Sequence, residues 1–326
     1  MRVLVTGAAG FTGGHLARAL HARGYDVRAL VRRADQAREL ARAGIAGVAG
    51  DLTDAASLDA AVAGVEIVYN IAALYRQAGL PEETYRRVNA TAVGDLIVAA
   101  RRAGVRRLVH CSTVGVHGDV ERPPAGEDAP FRPGDVYQRT KLEGERLAAE
   151  TAAREGLELT IARPSGIYGP GDRRLLKLFR GVARRRFRIL GDGRIFYHLT
   201  YVDDVVEGLR LCGEVPAAAG RAYILAGAEV TTLNELVGRI AAAAGVAPPR
   251  LHLPVWPVWL LGAACEIACA PLGIEPPLYR RRVDFFTKSR AFRIDRARAE
   301  LGFAPAVGLD EGIGRTLAWY RAQGWL

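Results

Sequence analysis

Short apolar runs and amphipathic segments alternate along the first half of the chain. The apolar runs predict strands at about 2–6, 25–31, 45–49, 65–70, 105–112 and 157–163, and helical spacing predicts helices at about 12–23, 35–43, 54–63, 82–103 and 136–155. The strand runs are apolar on both faces, which is typical of strands covered by helices on either side. This order predicts an α/β fold with a doubly wound parallel sheet, whose ligand lies at the carboxyl ends of the strands.

Glycines mark the first strand-to-helix junction. Residues 7–13, Gly-Ala-Ala-Gly-Phe-Thr-Gly, follow the first strand directly and lead into a helical pattern. Gly7 can adopt backbone angles closed to other residues. Gly10 lets the main chain approach a pyrophosphate, and Gly13 lets the helix pack close to the sheet. Because a helix start also offers free N–H groups to phosphates, the turn predicts a Rossmann-type dinucleotide site with contacts from Gly7, Gly10, Phe11, Thr12 and Gly13.

The regular alternation ends near residue 170. Beyond it, prolines and glycines interrupt the chain, and helices are predicted at about 172–186, 203–213, 231–244, 255–270 and 309–322. We expect a dinucleotide-binding Rossmann domain over 1–168, which includes the helix at 136–155. A smaller, mixed α/β substrate-binding lobe is expected over 169–326. The strands near 195–201 and the helix at 203–213 are candidates for packing back on the first domain.

The helix predicted at 136–155 carries Tyr137 and Lys141, four residues apart and therefore on one face. The 45 basic residues of the chain are 42 arginines and only three lysines, so a lysine at this place stands out. Arginine does not easily replace a compact ammonium group that bonds a ribose beside a tyrosine. The pair predicts proton and hydride chemistry next to the dinucleotide, and an exposed helix pair is the alternative.

Together these motifs resemble the extended form of the short-chain dehydrogenase/reductase superfamily, the NAD-dependent epimerase/dehydratase family. Residues 163–170, Arg-Pro-Ser-Gly-Ile-Tyr-Gly-Pro, are similar to its 3β-hydroxysteroid dehydrogenase-like branch. The resemblance covers nearly the whole chain and implies that Tyr137 is the acid or base, with Lys141 lowering its pKa. It puts Thr113 in the catalytic Ser/Thr position, with Ser112 as the alternative. It also implies an active-site role for Asn89, for which capping or packing is equally open.

The resemblance implies further contacts on both sides of the reaction. Cofactor contacts are expected from Asp51, Leu52, Ala72, Ala73, Pro164 and Ile167, in addition to Tyr137 and Lys141. Substrate contacts are expected from Tyr75, Val114, Ser165, Gly166, Tyr197 and His198. His117 replaces the tyrosine that is usual in the family, so whether this position contacts a ligand as the family tyrosine does is left open.

The end of the second strand bears on the choice of cofactor. An Asp or Glu there bonds the ribose hydroxyls of NAD and repels a 2′-phosphate. In this chain Val31 takes that place, and Arg32 and Arg33 follow it. Because a guanidinium suits a phosphate by charge and by shape, we expect NADP(H). NAD(H) is the alternative if both arginines only face solvent.

Two reaction classes remain open for the substrate. Sugar-nucleotide enzymes of the family commonly have Asn where this chain has Gly166, and Tyr197 replaces an arginine that would grip a nucleotide phosphate. These differences favour a net dehydrogenase or reductase acting on a secondary alcohol or ketone. A nucleotide-sugar 4-epimerase or dehydratase with retained NAD is the alternative, and the arginines at 280–282 could then supply phosphate contacts. A catalytically idle NADP(H)-sensing protein is a minor third possibility.

The formal net charge is +10, but the arginines are dispersed and no nucleic-acid motif is present. We therefore expect a small-molecule substrate and no nucleic acid. The arginine-rich segment 173–188 is interpreted as a solvated helix face, with an anionic-substrate rim or a membrane-surface patch as alternatives. The apolar stretch 253–274 is interrupted by Glu266, which argues against a membrane span. A buried helix of the substrate lobe is expected there, with the cover of an apolar substrate pocket, contact with a membrane surface or a dimer face as alternatives. With no leader peptide predicted and no metal-ligand spacing among the four cysteines, we expect a cytoplasmic protein without a metal, and a homodimer by resemblance.

Overall fold

The computed structural model describes residues 1–77, 79–269, 274, 276, 280 and 283–326. Its strands are β1 (Arg2–Thr6), β2 (Asp26–Val31), β3 (Ala46–Ala49), β4 (Ile67–Asn70), β5 (Arg107–Cys111), β6 (Glu158–Pro164), β7 (Gly166–Tyr168), β8 (Ile189–Leu190), β9 (Phe196–Tyr197), β10 (Leu199–Tyr201), β11 (Ala222–Leu225), β12 (Thr231–Thr232) and β13 (His252–Leu253). Its α-helices are α1 (Phe11–Ala22), α2 (Ala34–Arg42), α3 (Ala55–Val62), α4 (Glu82–Arg86), α5 (Ala92–Arg102), α6 (Val136–Glu155), α7 (Leu176–Ala183), α8 (Val202–Glu214), α9 (Leu233–Ala244), α10 (Val255–Cys269), α11 (Asp284–Thr287), α12 (Asp295–Leu301) and α13 (Leu309–Ala322).

Seven parallel strands form the central sheet, in the order β11-β6-β5-β4-β1-β2-β3. Successive side chains of a strand point to opposite faces, so Val3 and Val5 enter one apolar cluster with α1 and α8, while Leu4 enters the other with α3, α5 and α6. Both clusters are fully buried at these positions. The predicted α/β, Rossmann-type doubly wound sheet is confirmed.

The sequence pattern did not predict the seventh strand. β11 lies next to β6, and α8 packs against α1, β5 and β6. Both elements come from beyond residue 168, and their side chains share one continuous core with β1 and α1. The division of the chain at residue 168 stays a prediction.

The segment predicted as one helix over 82–103 is interrupted. A π-turn at Arg87–Thr91 lies between α4 and α5 and contains Asn89. The side chain of Asn89 bonds both backbone groups of Leu74, 15 residues earlier in the chain, and this long-range contact is not visible in the local apolar spacing. Such π-turns often occur at functional sites.

The second half adds three small sheets beside the main one. β7 pairs with β10, β9 with β12, and β8 with β13. The helix predicted from 172 begins at Leu176, because the Asp172 carboxylate accepts the N–H groups of Arg174 and Leu175 and so forms a turn ahead of it. The helix predicted from 231 begins at Leu233, where Thr232 and Glu235 form a capping box. Among the described residues, no helix is long and apolar enough to cross a membrane.

Candidate active site

The glycine turn forms one end of a large cavity of about 1260 Å³. Gly7 has a φ of +70°, and the N–H of Gly10 donates to its carbonyl oxygen at 2.9 Å. A Cβ added to Gly13 would lie 2.3 Å from that same oxygen, and one added to Gly7 would lie 2.8 Å from the backbone nitrogen of Ala72. The turn, the start of α1 and the end of β4 therefore approach as closely as their backbones allow. We call this part of the wall the phosphate cradle or glycine cradle, because glycine turns at helix starts can bind phosphate groups.

The structure brings most of the predicted site residues to the wall of this cavity. They are Gly7, Gly10, Phe11, Thr12, Gly13, Arg32, Asp51, Leu52, Ala72, Ala73, Tyr75, Ser112, Thr113, Val114, Tyr137, Pro164, Ser165, Gly166, Ile167, Tyr197 and His198. Three predicted residues do not line it, namely Arg33, Asn89 and Lys141. One cavity thus joins the phosphate cradle to the tyrosine of the predicted catalytic pair.

The two arginines after β2 differ in their surroundings. Arg32 lines the cavity, whereas Arg33 is exposed and pairs with Asp35. Asp51 also lines the cavity, where the charges of Arg32 and Arg87 act on it. Although burial opposes it, hydrogen bonds from the N–H and the hydroxyl of Thr53 hold the pKa of Asp51 below its ordinary value, so its carboxylate is charged. Of the two arginines after β2, Arg32 is therefore the one that can meet a group bound in the cavity, and Arg87 is a second arginine on the wall near Asp51.

Tyr137 lies in the first turn of α6. Asp135 caps this helix by accepting the N–H of Gln138 and also binds Arg76. The Tyr137 ring meets Tyr75 edge to face, with ring centroids 4.9 Å apart. Burial raises the pKa of the Tyr137 phenol well above its ordinary value, while the guanidinium groups of Arg174 and Arg76 act in the opposite direction.

Lys141 is buried behind the cavity wall. Its Nζ donates to the carbonyl oxygen of Cys111 at 2.8 Å and lies 3.3 Å from Nε2 of His110. Burial lowers the pKa of Lys141, and burial together with the neighbouring Lys141 charge lowers the pKa of His110, which is therefore neutral. On the other side of the ring, Nδ1 of His110 lies 3.2 Å from Nδ2 of Asn70. The Oδ1 of Asn70 accepts the hydroxyl of Thr6 at 2.7 Å. A buried chain of hydrogen bonds thus runs from Lys141 to the end of β1, directly before the glycine turn.

Two hydroxyl groups lie on the same wall as Tyr137. Thr113 caps a 3₁₀ turn (Val114–His117), and its Oγ1 accepts the N–H of Gly115 at 3.0 Å, while its own O–H has no acceptor in the described part of the chain. The hydroxyl of Ser112 is buried and has no hydrogen-bond partner among the described residues. A buried hydroxyl without a partner is uncommon, so the Ser112 hydroxyl is suited to form a hydrogen bond with a bound molecule.

Asn89 holds the cavity wall from behind. Its Nδ2 donates to the carbonyl of Leu74 at 3.1 Å and to Oγ1 of Thr140 at 3.1 Å, and its Oδ1 accepts the N–H of Leu74 at 2.8 Å. It therefore ties the segment that carries Tyr75 to α6. Its predicted role at the reacting atoms stays a prediction.

The far end of the cavity is largely aromatic. Tyr197 donates to the carbonyl of Phe285, and both nitrogens of His198 are engaged, since Nδ1 accepts from Phe292 N–H and Nε2 bonds Gly227 O at 2.7 Å. Burial lowers the pKa of His198, which is consistent with a neutral ring. Further aromatic side chains on this wall are Phe187, Phe285, Phe286 and Phe292. The substrate end thus combines an aromatic surface with charged side chains, since Asp284, Lys288 and Arg290 also line the cavity.

A comparison with family models supplies the deciding observation. Residues 3–226 match the model of the NAD dependent epimerase/dehydratase family. The chain belongs to this family. Its members are NAD(P)-dependent enzymes of the extended short-chain dehydrogenase/reductase type, as the resemblance implied.

Relatives within the epimerase/dehydratase family include net oxidoreductases. The chain is 32% identical to the 2-alkyl-3-oxoalkanoate reductase of Stenotrophomonas maltophilia, over 98% of this chain and 99% of that protein. It is 30% identical to a 3 beta-hydroxysteroid dehydrogenase/Delta 5-->4-isomerase of Mycobacterium tuberculosis, over 98% of this chain and 90% of that protein. Among solved structures, MoeE5 in complex with UDP-glucuronic acid and NAD is 29% identical, with a TM-score of 0.77 and coverage of 99% of this chain and 100% of that one. The predicted similarity to the 3β-hydroxysteroid dehydrogenase-like branch is confirmed.

This family member has site residues that sequence reasoning missed. A solvated helix face is the first prediction for the arginine-rich segment 173–188, with an anionic-substrate rim among the alternatives. Arg174 lines the cavity, where its Nε binds Asp172 at 2.9 Å and its Nη2 donates to the carbonyl of Ile167 at 2.8 Å. Its guanidinium lies 5.9 Å from the Tyr75 ring centroid, and that of Arg76 lies 5.8 Å from the Tyr137 centroid. The Gly-Pro-Gly-Asp segment at 169–172, which lies just before Arg173 and Arg174, is the sequence feature that could have indicated a turn toward the site. Of the arginines at 280–282, Arg280 pairs with Glu266, and the other two lie outside the described residues.

Proposed function

We propose that the protein is an NADP(H)-dependent oxidoreductase that interconverts a ketone and a secondary alcohol. One observation carries the proposal: the Tyr137 phenol shares a wall with the hydroxyls of Thr113 and Ser112, in the cavity whose other end is the glycine turn. In reduction, Tyr137 donates a proton to the substrate oxygen while Thr113 or Ser112 orients that oxygen. The nicotinamide, when bound, supplies or accepts the hydride. The cytoplasmic location and the homodimer stay predictions.

Two arginines assist Tyr137 in this proposal. Arg76 and Arg174 lie beside the phenol, and both favour its ionised form. Each is fixed by a carboxylate, Asp135 and Asp172 respectively. Lys141 lies behind the wall, where its Nζ binds the carbonyl of Cys111 and lies next to His110; its contact with the ribose of the cofactor stays a prediction. Positive charge on one side of Tyr137 opposes the effect of burial on its pKa.

Replacing Arg174 by methionine is expected to raise the pKa of Tyr137, because a cation that favours the phenolate is lost. In the direction of alcohol oxidation Tyr137 must be ionised to act as a base, so the pH profile of kcat/KM should move to higher pH by about one unit. The Arg174→Lys variant keeps the charge and should restore most of the wild-type profile. Arg173, whose guanidinium lies over the Trp325 ring at 4.9 Å, supplies the matched control Arg173→Met. An unshifted profile in Arg174→Met would contradict this role.

The preference for NADP(H) rests on Arg32. A charge-assisted hydrogen bond contributes about 1.5–3 kcal/mol, which is about 10- to 150-fold in affinity. Replacing Arg32 by alanine should weaken NADPH binding by that factor and leave NADH binding nearly unchanged. Replacing Arg33, which pairs with Asp35 outside the cavity, should change neither affinity. Titration of the stripped protein by nicotinamide fluorescence measures both, and equal losses for both cofactors in Arg32→Ala would argue against a phosphate contact.

The substrate is proposed to be a ketone with apolar arms. The aromatic wall at the far end of the cavity suits such arms, and the reductase relative is named for a 2-alkyl-3-oxoalkanoate. Tyr197 is buried, bonded to Phe285 and supplies no cation itself, but Arg290 beside it lines the cavity, so a nucleotide sugar stays the alternative substrate. Lys177, which lines the cavity and has no ion pair among the described residues, is proposed as the partner of a substrate carboxylate.

The proposal is tested by the cofactor state and by a substrate screen. We expect exchangeable NADPH, held more tightly than NADH, and NADPH oxidation with 2-alkyl-3-oxoalkanoates or 3-oxosteroids. The opposite result is NAD that survives purification together with interconversion of a UDP-sugar without net redox change. That result would move the protein to the nucleotide-sugar epimerases, a reaction class consistent with the ligands of MoeE5.

A further inference from the structure

Helix α10 exposes apolar side chains along its whole length. Of its 15 residues only Gly262 is buried. The exposed fractions reach 66% for Trp256, 60% for Leu261 and 75% for Ile267, and Trp259 and Leu260 are exposed as well. A contiguous apolar surface of this kind marks an interaction site rather than ordinary protein surface. The buried helix expected from the sequence is therefore wrong for this segment.

A basic cluster lies beside the start of this helix. It consists of Arg184, Arg185, Arg186, Arg188 and Arg250, which are all exposed and form no ion pair with a carboxylate of the described residues. The two-residue ladder of β8 and β13 connects them to α10: Ile189 pairs with His252, and the N–H of Gly191 donates to the carbonyl of Leu253 at 2.9 Å. Because a strand rises only about 3.3 Å per residue, the cluster and the first turn of α10 are neighbours on one surface.

We propose that α10 and the basic cluster dock on the surface of an anionic phospholipid bilayer. An apolar helix flanked by arginines suits the boundary between acyl chains and charged headgroups. At about 1.5 Å per residue α10 is about 22 Å long, shorter than a hydrocarbon core of about 30 Å, so it lies in the interface instead of crossing it. The charge of Glu266, the only ionised residue of the helix, is compensated by Arg280 at 2.7 Å.

The same charges argue against a second copy of this chain as the occupant. A twofold contact pairs a surface patch with itself, so it would bring the basic clusters of both copies into one interface. An anionic membrane meets both features of the patch, its apolar helix and its unpaired positive charge. We therefore assign the surface to lipid.

Docking through α10 and the basic cluster would also place the aromatic end of the cavity near the membrane surface. Phe187 lies between Arg186 and Arg188 in the chain, lines the cavity and stacks on Phe286 with ring centroids 5.9 Å apart. The basic cluster thus borders the aromatic end of the cavity, and an apolar substrate can enter from the lipid phase. This last step rests on the proposed function, whereas membrane binding itself does not.

Vesicle sedimentation with the full chain tests the proposal. Vesicles of phosphatidylcholine mixed with phosphatidylglycerol should bind the wild-type protein, added salt should weaken the binding, and phosphatidylcholine alone should bind it far less. The double variant Trp256→Glu with Leu260→Glu, and the triple variant Arg184→Glu, Arg186→Glu and Arg188→Glu, should each lose at least about tenfold in partitioning. Their melting temperature and NADPH affinity should equal those of the wild type, which shows that they fold.

Matched controls change the same residue types elsewhere on the surface. Val230→Glu replaces another exposed apolar residue, and Arg42→Glu, Arg122→Glu and Arg298→Glu reverse three exposed arginines outside the cluster. These variants should bind vesicles like the wild type. The proposal is overturned if the wild type binds neither vesicle, or binds both equally, or if binding survives in the α10 variant. Light scattering that shows a dimer broken by the α10 variant, with no binding to lipid, would assign the patch to self-association instead.

Discussion

Replacing Tyr137 by phenylalanine is expected to lower kcat by about 10²- to 10⁴-fold, the usual contribution of a positioned general acid or base. The substitution removes only the hydroxyl, and the ring keeps its edge-to-face contact with Tyr75. Cofactor affinity should therefore stay nearly intact, because the glycine cradle at the other end of the cavity is untouched. Steady-state kinetics with the ketone found by screening, together with NADPH titration, separates the two effects.

Tyr75 supplies the control in the same cavity. Its hydroxyl accepts from Arg76 at 3.2 Å, and its ring packs on Tyr137. Tyr75→Phe should reduce kcat by less than about tenfold, since a contact to substrate is lost but no proton donor. If Tyr75→Phe were the inactive variant and Tyr137→Phe kept substantial activity, the roles of the two tyrosines would have to be exchanged.

The parts of the site that could be predicted from sequence are those with a local pattern. The glycine turn follows a strand and opens a helix within seven residues, and Tyr137 and Lys141 share a helix face through their spacing. For such features the chain itself fixes the geometry, because neighbouring residues have few alternative arrangements. All five predicted residues of the turn line the cavity.

The parts that could not be predicted depend on distant partners. Arg174 looked like one more basic residue in an arginine-rich segment, and only the turn made by Asp172 directs it into the cavity. β11 is a four-residue run whose place at the sheet edge depends on pairing with β6, about 60 residues earlier in the chain. His110 reads as part of a buried strand, and its link to Lys141 exists only once β5 and α6 are packed.

The same distinction applies to the two arginines after β2. From sequence they are equivalent, but the start of α2 turns Arg33 toward Asp35, which lies two residues further along, and leaves Arg32 at the cavity wall. Charge in a sequence predicts a partner only when the fold keeps that charge unpaired and facing a ligand. By this criterion Arg32 and the basic cluster beside α10 are candidates for binding phosphate groups, while Arg33 is not.

Replacing Gly13 by alanine is expected to cost both stability and cofactor binding. Its added Cβ would lie 2.3 Å from the carbonyl oxygen of Gly7, which is a backbone atom and cannot swing away. The turn must open, so the free energy of unfolding should fall by about 1–3 kcal/mol, and NADPH affinity should fall at least about tenfold, or 1.4 kcal/mol.

Two other glycines separate these effects. A Cβ on Gly10 would lie 3.2 Å from the same oxygen, a contact that small shifts relieve, so Gly10→Ala should lose affinity through the crowded cradle but much less stability. Gly238, inside α9, has nothing within 4 Å of an added Cβ, and Gly238→Ala should raise stability by up to about 1 kcal/mol without changing NADPH binding. Thermal unfolding and NADPH titration on the three variants give the comparison. If Gly13→Ala bound NADPH like the wild type, the turn would not be the phosphate cradle, and the cofactor would have to be placed elsewhere in the cavity.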